Sequence, residues 1–397
     1  METAMNFNVA PLPQIRFGGG RLAELPDVTR AWGCRVLLIT GARAFRATPA
    51  WQTLTEALAD CHLHDMVVDG EPSPQLVDAA VARFRDANID VVVGIGGGSV
   101  LDAAKAIAGL LPFGNSVLDH LEGVGRGLPY TGPALPFIAV PTTAGTGSEA
   151  TRNAVLSVQG EQGYKKSFRH DTLVPRVALV DPELLHSCPP ARIAANGMDA
   201  LTQLLESFVS TRASPFTDAL ARDALQRVAR GFEAAWRGGD SEDAARGREA
   251  MAYGALISGI TLAQAGLGSV HGLASPLGAY FPIPHGEACG TLVAAATHAN
   301  IRLLHTREPD SIALHKYAEA GRILSGQHGL SDEEAQDALV AKLHAWTEMM
   351  DIPRLGNFGI TEQDIPRIVA DSRGNSMQTN PIVMTDDEIA QLVRSRL

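Results

Sequence analysis

Short runs of β-branched and aliphatic residues alternate with helical patterns through the first half of the chain. The strongest run, DVVVGIGGGS at 90–99, leads directly into VLDAAKAIAGLL, where apolar residues recur at helical spacing. These runs lack the polar alternation of a half-solvated sheet, which indicates strands buried on both faces. The pattern therefore predicts a parallel sheet covered by helices, with strands at 35–41, 66–74, 90–99, 136–147 and 176–184.

Strand patterns stop near residue 190, and helical patterns rich in Ala and Leu fill the rest of the chain. Pro189 and Pro190 mark the change, because proline disrupts the interior of a helix or a strand. Since 397 residues exceed the usual size of a single core, we expect an α/β domain over 1–189 and an all-helical domain over 190–397. The predicted helices of the second domain run over 191–210, 216–237, 241–266, 285–305, 309–326 and 332–350.

Charge and cysteine usage exclude several classes of protein. The formal net charge is −11 and no dense stripe of Lys or Arg occurs, so no nucleic-acid partner is expected. The four cysteines are scattered, which argues against a disulfide framework and against a cysteine-type zinc site. The sequence shows neither a signal-peptide pattern nor an apolar run that could span a bilayer, so a cytoplasmic protein without membrane contact is expected.

A glycine turn, GIGGGS at 94–99, connects the strongest predicted strand to the following helix. Glycines let a backbone approach a pyrophosphate closely, and a helix N-terminus presents free N–H groups and the positive end of its dipole. Ser99 can cap this helix or bind a phosphate oxygen. A tight turn without any ligand explains the same residues, so the turn alone leaves both interpretations open.

A second loop, PTTAGTGSE at 141–149, follows another predicted strand and collects small hydroxyl residues. Such residues hydrogen-bond phosphate, ribose and amide groups at close range, although a solvated polar turn also contains them. Ligands of open α/β sheets bind outside the carboxyl ends of the strands. Two loops of this kind at one sheet edge therefore favour a dinucleotide site.

The helical half contributes a second group of polar residues. Asp199 and Gln203 stand four apart, which places them on one face of a predicted helix. His271 lies downstream, and the turn PIPHG at 282–286 aims His285 inward. An aspartate, two histidines and an amide oxygen suit a divalent metal. Alternatively, Asp199 caps its helix and one of the two histidines is a hydrogen-bonded core residue.

Together, the motifs GGGSVLDAAKA, PTTAGTGSEAT, NGMDALT and VHGLASPLGAYFPIPHG resemble those of the iron-containing alcohol dehydrogenase family. The resemblance covers nearly the whole chain, beginning with an N-terminal hairpin over 7–20. It implies a dehydroquinate synthase-like architecture, in which an α/β dinucleotide-binding domain precedes an all-α domain and the active site lies between them. It also implies a cytoplasmic homo-oligomer, commonly a homodimer, that acts on a small alcohol or aldehyde.

The resemblance also implies a set of site residues. The chain would bind NAD or NADP and a divalent metal, and Asp199, His271 and His285 match three of the family's four metal ligands. His271 and His285 are expected to take part in catalysis as well. The positions expected around the cofactor are Gly41, Gly97, Gly98, Ser99, Asp102, Thr142, Thr143, Thr146, Asn153 and Lys165.

Two positions depart from the family pattern in the expected active site. Gln203 stands where the family has a metal-binding histidine, and its amide oxygen is expected to be a weaker, harder ligand than imidazole. This change is expected to lower the affinity for Fe or Zn and to favour Mn. Ser275 replaces a histidine near the nicotinamide; it can pass a proton, and we count it as catalytic, but it cannot act as a base near neutral pH.

A third departure concerns the choice of cofactor. Family members that prefer NAD carry a carboxylate just after the second strand, whereas this chain has Thr40, Gly41, Ala42 and Arg43 there. Without an acid at this position, and with Arg43 close by, NADP fits by charge. The sequence leaves NAD and NADP as alternatives.

The predicted reaction is reversible hydride transfer between the nicotinamide and an alcohol carbon, assisted by Fe, Zn or Mn. A metal-independent reductase, similar to maleylacetate reductases, would keep the same fold and cofactor. A metal-dependent lyase or synthase would share the architecture, and a catalytically silent dinucleotide-binding protein would keep only the cofactor site. The motifs favour the alcohol dehydrogenase.

Overall fold

A computed structural model describes residues 6–397 of the chain. Within this range, six strands form one all-parallel sheet in the order β1-β8-β5-β4-β2-β3, and β6 and β7 form a separate antiparallel hairpin. The strands are β1 (Gln14–Phe17), β2 (Arg35–Gly41), β3 (His62–Val68), β4 (Val91–Gly96), β5 (Phe137–Pro141), β6 (Asn153–Val158), β7 (Tyr164–Arg169) and β8 (Val177–Val180).

The α-helices divide into a group that accompanies the sheet and a longer series that follows it. Those near the sheet are α1 (Leu25–Arg30), α2 (Pro49–Ala57), α3 (Pro74–Phe84) and α4 (Gly98–Leu110). Those after the sheet are α5 (Pro190–Val209), α6 (Pro215–Arg237), α7 (Glu242–Ala265), α8 (Ser269–Tyr280), α9 (His285–Arg307), α10 (Ile312–Ser325), α11 (Asp332–Met349), α12 (Ile365–Asp371) and α13 (Asp386–Arg394).

Both faces of the large sheet are buried, as the unbroken apolar runs predict. In β2, Leu37 and Ile39 join the core on one face, whereas Val36 and Leu38 join the core on the other. Successive side chains of a strand point to opposite faces, so a strand covered on both sides needs apolar residues at every position. The α/β domain followed by helices is therefore confirmed.

The N-terminal hairpin expected over 7–20 is wrong. Only β1 forms there, and it pairs in parallel with β8, Gln14 lying opposite Val177. The hairpin of β6 and β7, in contrast, escaped prediction because β7, with the sequence YKKSFR, is mostly polar. Its fully buried apolar side chain is Phe168, which packs against the core that includes α4.

The helical half has its own core, which also includes residues from the sheet and from one of its loops. This core contains Ala144 and Ala150 from the loop after β5, and Val180 at the end of β8. Helix α5 begins at Pro190, close to where the composition changes. The division at residues 189 and 190 stays a prediction.

The helices of residues 6–397 differ from membrane-spanning helices in length and composition. No single helix is long and apolar enough to cross a bilayer. The pair α7 and α8, bent by 102°, meets the criteria of length and composition when the two helices are taken together. Buried core helices meet the same criteria.

Gly147 and Gly259 bring the loop after β5 into direct contact with α7. A Cβ atom built on Gly259 would lie 2.1 Å from the carbonyl oxygen of Gly147. Gly147 itself has φ of +61°, a left-handed conformation that favours glycine. The two glycines therefore allow the sheet's loop to seat against the helical half at backbone distance.

Replacing Gly259 with alanine is expected to destabilise the protein by about 1–3 kcal/mol, because the new methyl group overlaps the backbone of Gly147. Alanine in a helix interior otherwise stabilises by about 1 kcal/mol relative to glycine. Gly278→Ala is the matched control, since its Cβ would meet its nearest atom at 3.7 Å. Thermal unfolding should show a lower midpoint for Gly259→Ala only. Equal midpoints for the two variants would contradict this packing.

Candidate active site

A cleft of about 1560 Å³ runs along the carboxyl edge of the large sheet and ends against the helical half. Its walls include the end of β4, the loop after β5 and the turn Pro282–Pro284. Ordinary small-molecule pockets measure about 300–1,000 Å³, so this cleft has room for a dinucleotide together with a small substrate.

The N-terminus of α4 faces this cleft. Gly97 is the N-cap residue and no side chain caps the helix, so the N–H groups of the first turn remain available to a ligand. The neighbouring loop packs closely on the turn, because a Cβ atom on Gly98 would lie 2.7 Å from Oγ1 of Thr146. Six of the ten predicted cofactor residues line the cleft: Gly41, Gly97, Ser99, Thr142, Thr143 and Lys165.

The other four predicted cofactor residues, Gly98, Asp102, Thr146 and Asn153, do not line the cleft in the described chain. Asp102 is buried and accepts hydrogen bonds from the Ser148 hydroxyl and the Val155 amide. Its side chain therefore ties the glycine-turn helix to the second loop. Asn153 starts β6, and its side-chain oxygen is buried without a hydrogen-bond partner in that part of the chain.

Lys105 in α4 connects this helix to the loop after β5 and to the start of β6 through buried hydrogen bonds. Its ammonium group donates to the Ser148 carbonyl (2.8 Å), the Thr151 hydroxyl (3.0 Å) and the Asn153 carbonyl (2.7 Å). Burial lowers the pKa of Lys105 to about 8, although Asp102 and then Glu149 oppose the shift. Lys105 escaped prediction as a support of the cofactor loops, since its position within an apolar helix gave no signal.

Four donor groups lie together in the helical half, next to the turn Pro282–Pro284 that borders the cleft, and none of the four lines the cleft in the described chain. Asp199 comes from α5, His271 from α8, and His285 and Cys289 from the start of α9. Their donor atoms all lie within 4.8 Å of one another. Oδ1 of Asp199 is 3.2 Å from Nε2 of His271 and 3.6 Å from Nε2 of His285. This group could hold a metal ion.

Glu206 fixes the orientation of His271. One carboxylate oxygen accepts from Nδ1 of His271 at 2.7 Å, and the other accepts from the Val270 amide at 2.6 Å. Nε2 is thereby directed at the donor group. Burial alone would lower the pKa of His271, but Cys289, Asp199 and Glu206 raise it well above the ordinary value. A carboxylate behind a histidine is the usual support of a metal-binding imidazole.

His285 has a different environment. Burial lowers the pKa of His285 to about 4, against the attraction of Asp199, so its ring is neutral near pH 7. Its Nδ1 is buried and has no hydrogen-bond partner among residues 6–397. Lys165 lines the cleft nearby and pairs with Glu71 at 2.9 Å. Although burial opposes it, Lys165 holds the pKa of Glu71 below its ordinary value.

The structure does not bring the oxygen of Gln203 into the donor group. Oε1 accepts from the Ser258 hydroxyl at 2.7 Å, while Nε2 donates to Oδ1 of Asp199 at 3.3 Å. Gln203 therefore buttresses Asp199. Ser275 donates to the Lys165 carbonyl at 3.3 Å, a contact that fastens α8 to β7. Its role as a proton carrier stays a prediction.

Cys289 and Glu206 are the site residues that sequence reasoning missed. Both had a signal: Cys289 follows His285 by four residues, and Glu206 follows Asp199 by seven, so each shares a helix face with a predicted ligand. The four cysteines have no paired spacing, so the sequence pattern does not single out Cys289 as a ligand. Contrary to that expectation, one cysteine lies within a group that could bind metal.

Two family models together match nearly the whole chain. The family model for iron-containing alcohol dehydrogenase matches residues 13–182, and the model for the C-terminal part of the Fe-containing alcohol dehydrogenase family matches residues 193–397. A similar protein, long-chain-alcohol dehydrogenase 1 of Geobacillus thermodenitrificans, is 36% identical over 366 residues, which cover 91% of this chain and 88% of the relative.

Solved structures show the same likeness. A crystal structure of 1,3-propanediol oxidoreductase is 28% identical, covers 99% of this chain and 100% of its own, and superposes with a TM-score of 0.87. Sulfoacetaldehyde reductase from Bifidobacterium kashiwanohense, solved with NAD⁺, is 30% identical, covers 99% of both chains and has a TM-score of 0.82.

Replacing Glu206 with glutamine is expected to weaken metal binding by about 10–100-fold, because His271 loses its carboxylate support. Zinc affinity, measured by competition with a chromophoric chelator, checks this expectation. Glu333→Gln, at an exposed position in the first turn of α11, is the matched control. An unchanged zinc affinity in a folded Glu206→Gln variant would refute the supporting role of Glu206.

Proposed function

The chain belongs to the iron-containing alcohol dehydrogenase family, and we propose that its cleft holds NAD(P) and a small alcohol or aldehyde side by side. It is an oxidoreductase that interconverts alcohols and carbonyl compounds with NAD(P) and a divalent metal. The observation that carries the proposed site is a single cleft bounded by an uncapped helix N-terminus and by the turn Pro282–Pro284, which directly precedes His285 of the buried donor group.

The glycine turn and the loop after β5 form the proposed dinucleotide site. The N–H groups of Gly98 and Ser99 in the first turn of α4 would hold the pyrophosphate, together with the positive end of the helix dipole. Thr142 and Thr143, on the neighbouring strand end, offer hydroxyl groups to the cofactor from the same wall. Asp102, Asn153 and Lys105 support these loops from behind, as their internal hydrogen bonds indicate.

Asp199, His271 and His285 form the core of the proposed metal site. Their donor atoms already converge, within 4.8 Å of one another together with that of Cys289. When bound, iron or zinc stabilises negative charge on the substrate oxygen, and NAD(P) carries the hydride. Glu206 keeps the His271 ring in place throughout the reaction.

His285, Lys165 and Ser275 are the candidate residues for moving the proton of the alcohol. With Nε2 of His285 directed at the donor group, the proton of the neutral ring would reside on the buried Nδ1, which has no hydrogen-bond partner among residues 6–397. Lys165, held by Glu71, lines the same end of the cleft. Ser275 remains a further predicted proton carrier. A homodimer, cytoplasmic location and the domain ranges 1–189 and 190–397 likewise stay predictions.

Metal removal is expected to lower kcat for aldehyde reduction by at least about 100-fold, since a bound cation contributes several kcal/mol to the transition state. NADH binding, followed by fluorescence, should persist because residues of the dinucleotide loops line the cleft, whereas the metal donor group does not. Asp199→Asn should reproduce the loss, whereas Asp387→Asn, at an exposed position of α13, should not.

The same experiment separates the competing functions. Full activity in metal-free protein would favour a metal-independent reductase and overturn the metal site. Cofactor binding without turnover on any alcohol or aldehyde, even after zinc or iron is restored, would favour a catalytically silent protein.

Arg43 is proposed to admit the 2′-phosphate of NADP(H). It lines the cleft beside Gly41, at the end of β2. Arg43→Ala should weaken NADPH binding by about tenfold or more, because one charge-assisted hydrogen bond to the 2′-phosphate is lost. NADH binding should stay within about twofold of the wild-type value. Arg46→Ala is the matched control, because Arg46 is already engaged by Thr40 and Asp65. Equal effects of Arg43→Ala on both cofactors would refute the proposal.

A further inference from the structure

We propose that Cys289 is the fourth metal ligand of this chain and takes the place left by Gln203. The centre would then bind a soft divalent ion, zinc or ferrous iron, through one sulfur, two nitrogens and one oxygen. This inference rests on the proposed function, since it completes the metal site assigned there to Asp199, His271 and His285.

Four of the six distances between the donor atoms are close to those of a tetrahedral centre, and the other two are below 4.8 Å. Sγ of Cys289 is 3.7 Å from Nε2 of His271 and 3.8 Å from Nε2 of His285, and the Asp199 distances are 3.2 and 3.6 Å. Bonds of about 2.0–2.1 Å to nitrogen or oxygen and about 2.3 Å to sulfur require donor separations of about 3.3–3.6 Å. These four distances would therefore suit a bound ion after shifts of a few tenths of an ångström.

Packing of α9 against α5 brings Cys289 to this position. Gly286 and Gly290 lie one turn apart and face α5, where their Cβ atoms would come 2.4 Å from the Ala195 carbonyl and 3.0 Å from Met198 Cβ. Both glycines thus permit close approach of the two helices. His285 and Cys289 lie on the adjacent face of α9, and their donor atoms lie near that of Asp199 on α5, across the interface between the two helices.

Gln203 is poorly placed to serve as the ligand. Its amide nitrogen, a donor that cannot bind a cation, faces Asp199, and its oxygen accepts from Ser258. Turning the amide over would set its oxygen against the carboxylate oxygen of Asp199. The Mn preference inferred from an amide ligand therefore gives way to a preference for softer ions.

Charge also favours the thiolate. Cys289, Asp199 and His271 are 0%, 1% and 8% exposed, so an ion bound here lies away from water. Asp199 supplies one negative charge to the ion directly and a Cys289 thiolate would supply a second, whereas the Glu206 carboxylate acts only through the His271 ring. Binding forms the metal–sulfur bond and releases the thiol proton to solvent, with no redox change.

Cobalt(II) reconstitution of the metal-free full chain tests the assignment. A thiolate ligand gives Co(II) a near-ultraviolet charge-transfer band, which oxygen and nitrogen ligands do not give. We expect one Co(II) per chain and this band in the wild type, and no such band in Cys289→Ala or Cys289→Ser. Both variants should also bind Co(II) at least about tenfold more weakly.

Two control variants should retain the band. Gln203→Ala removes the alternative ligand, and Cys61→Ala removes a thiol that lies just before β3, at an edge strand of the sheet. If stoichiometric Co(II) gives no thiolate band, or if Cys289→Ala keeps it, Cys289 is not a ligand while the proposed function stands. If the folded wild type binds no Co(II), the metal-dependent function fails together with this inference.

X-ray absorption of the zinc-loaded wild type provides a test that needs no variant. We expect one sulfur at about 2.3 Å in the first shell. A shell of nitrogen and oxygen alone would overturn the assignment, even if both Cys289 variants failed to fold.

Discussion

The close contact between Gly147 and Gly259 is the constraint on which the arrangement of the active site depends. It seats the loop after β5 against α7, so the cofactor edge of the sheet and the helical half share one cleft. Lys105 and Asp102 then fix that loop to the glycine-turn helix through buried hydrogen bonds. Interiors are close-packed, so a change of one methyl group at this seam would move both sides of the cleft.

The metal-binding half relies on the same kind of contact. Gly286 and Gly290 let α9 approach α5, and Glu206 orients the His271 ring through a hydrogen bond to Nδ1. In this chain the helix face of Asp199 carries Gln203, whereas the helix face of His285 carries Cys289. We infer that Cys289 on α9 replaces, as fourth ligand, the histidine that the family pattern has at the position of Gln203 on α5. The site would then still offer four donors, one of them the soft sulfur of a thiolate.

The sequence predicted the fold well because its signals are local. The unbroken apolar run of β4 and the glycine turn after it identify a buried strand and a helix start without reference to the rest of the chain. Pairing is not local: the parallel partner of β1 lies about 160 residues downstream, at Val177–Val180, and no pattern near Gln14 reveals it. Gln203 illustrates the same limit at the site, since the direction of its amide depends on Ser258 in another helix.

Hydride transfer in this cleft requires the nicotinamide ring, and not the adenine, to lie beside the metal. Nuclear relaxation of NAD⁺ bound to the Co(II)-loaded protein measures that proximity directly, with the zinc-loaded protein as the diamagnetic reference. The cleft geometry predicts much stronger paramagnetic relaxation of the nicotinamide H4 proton than of the adenine protons. Equal effects on both rings, or a stronger effect on the adenine, would contradict the proposed arrangement.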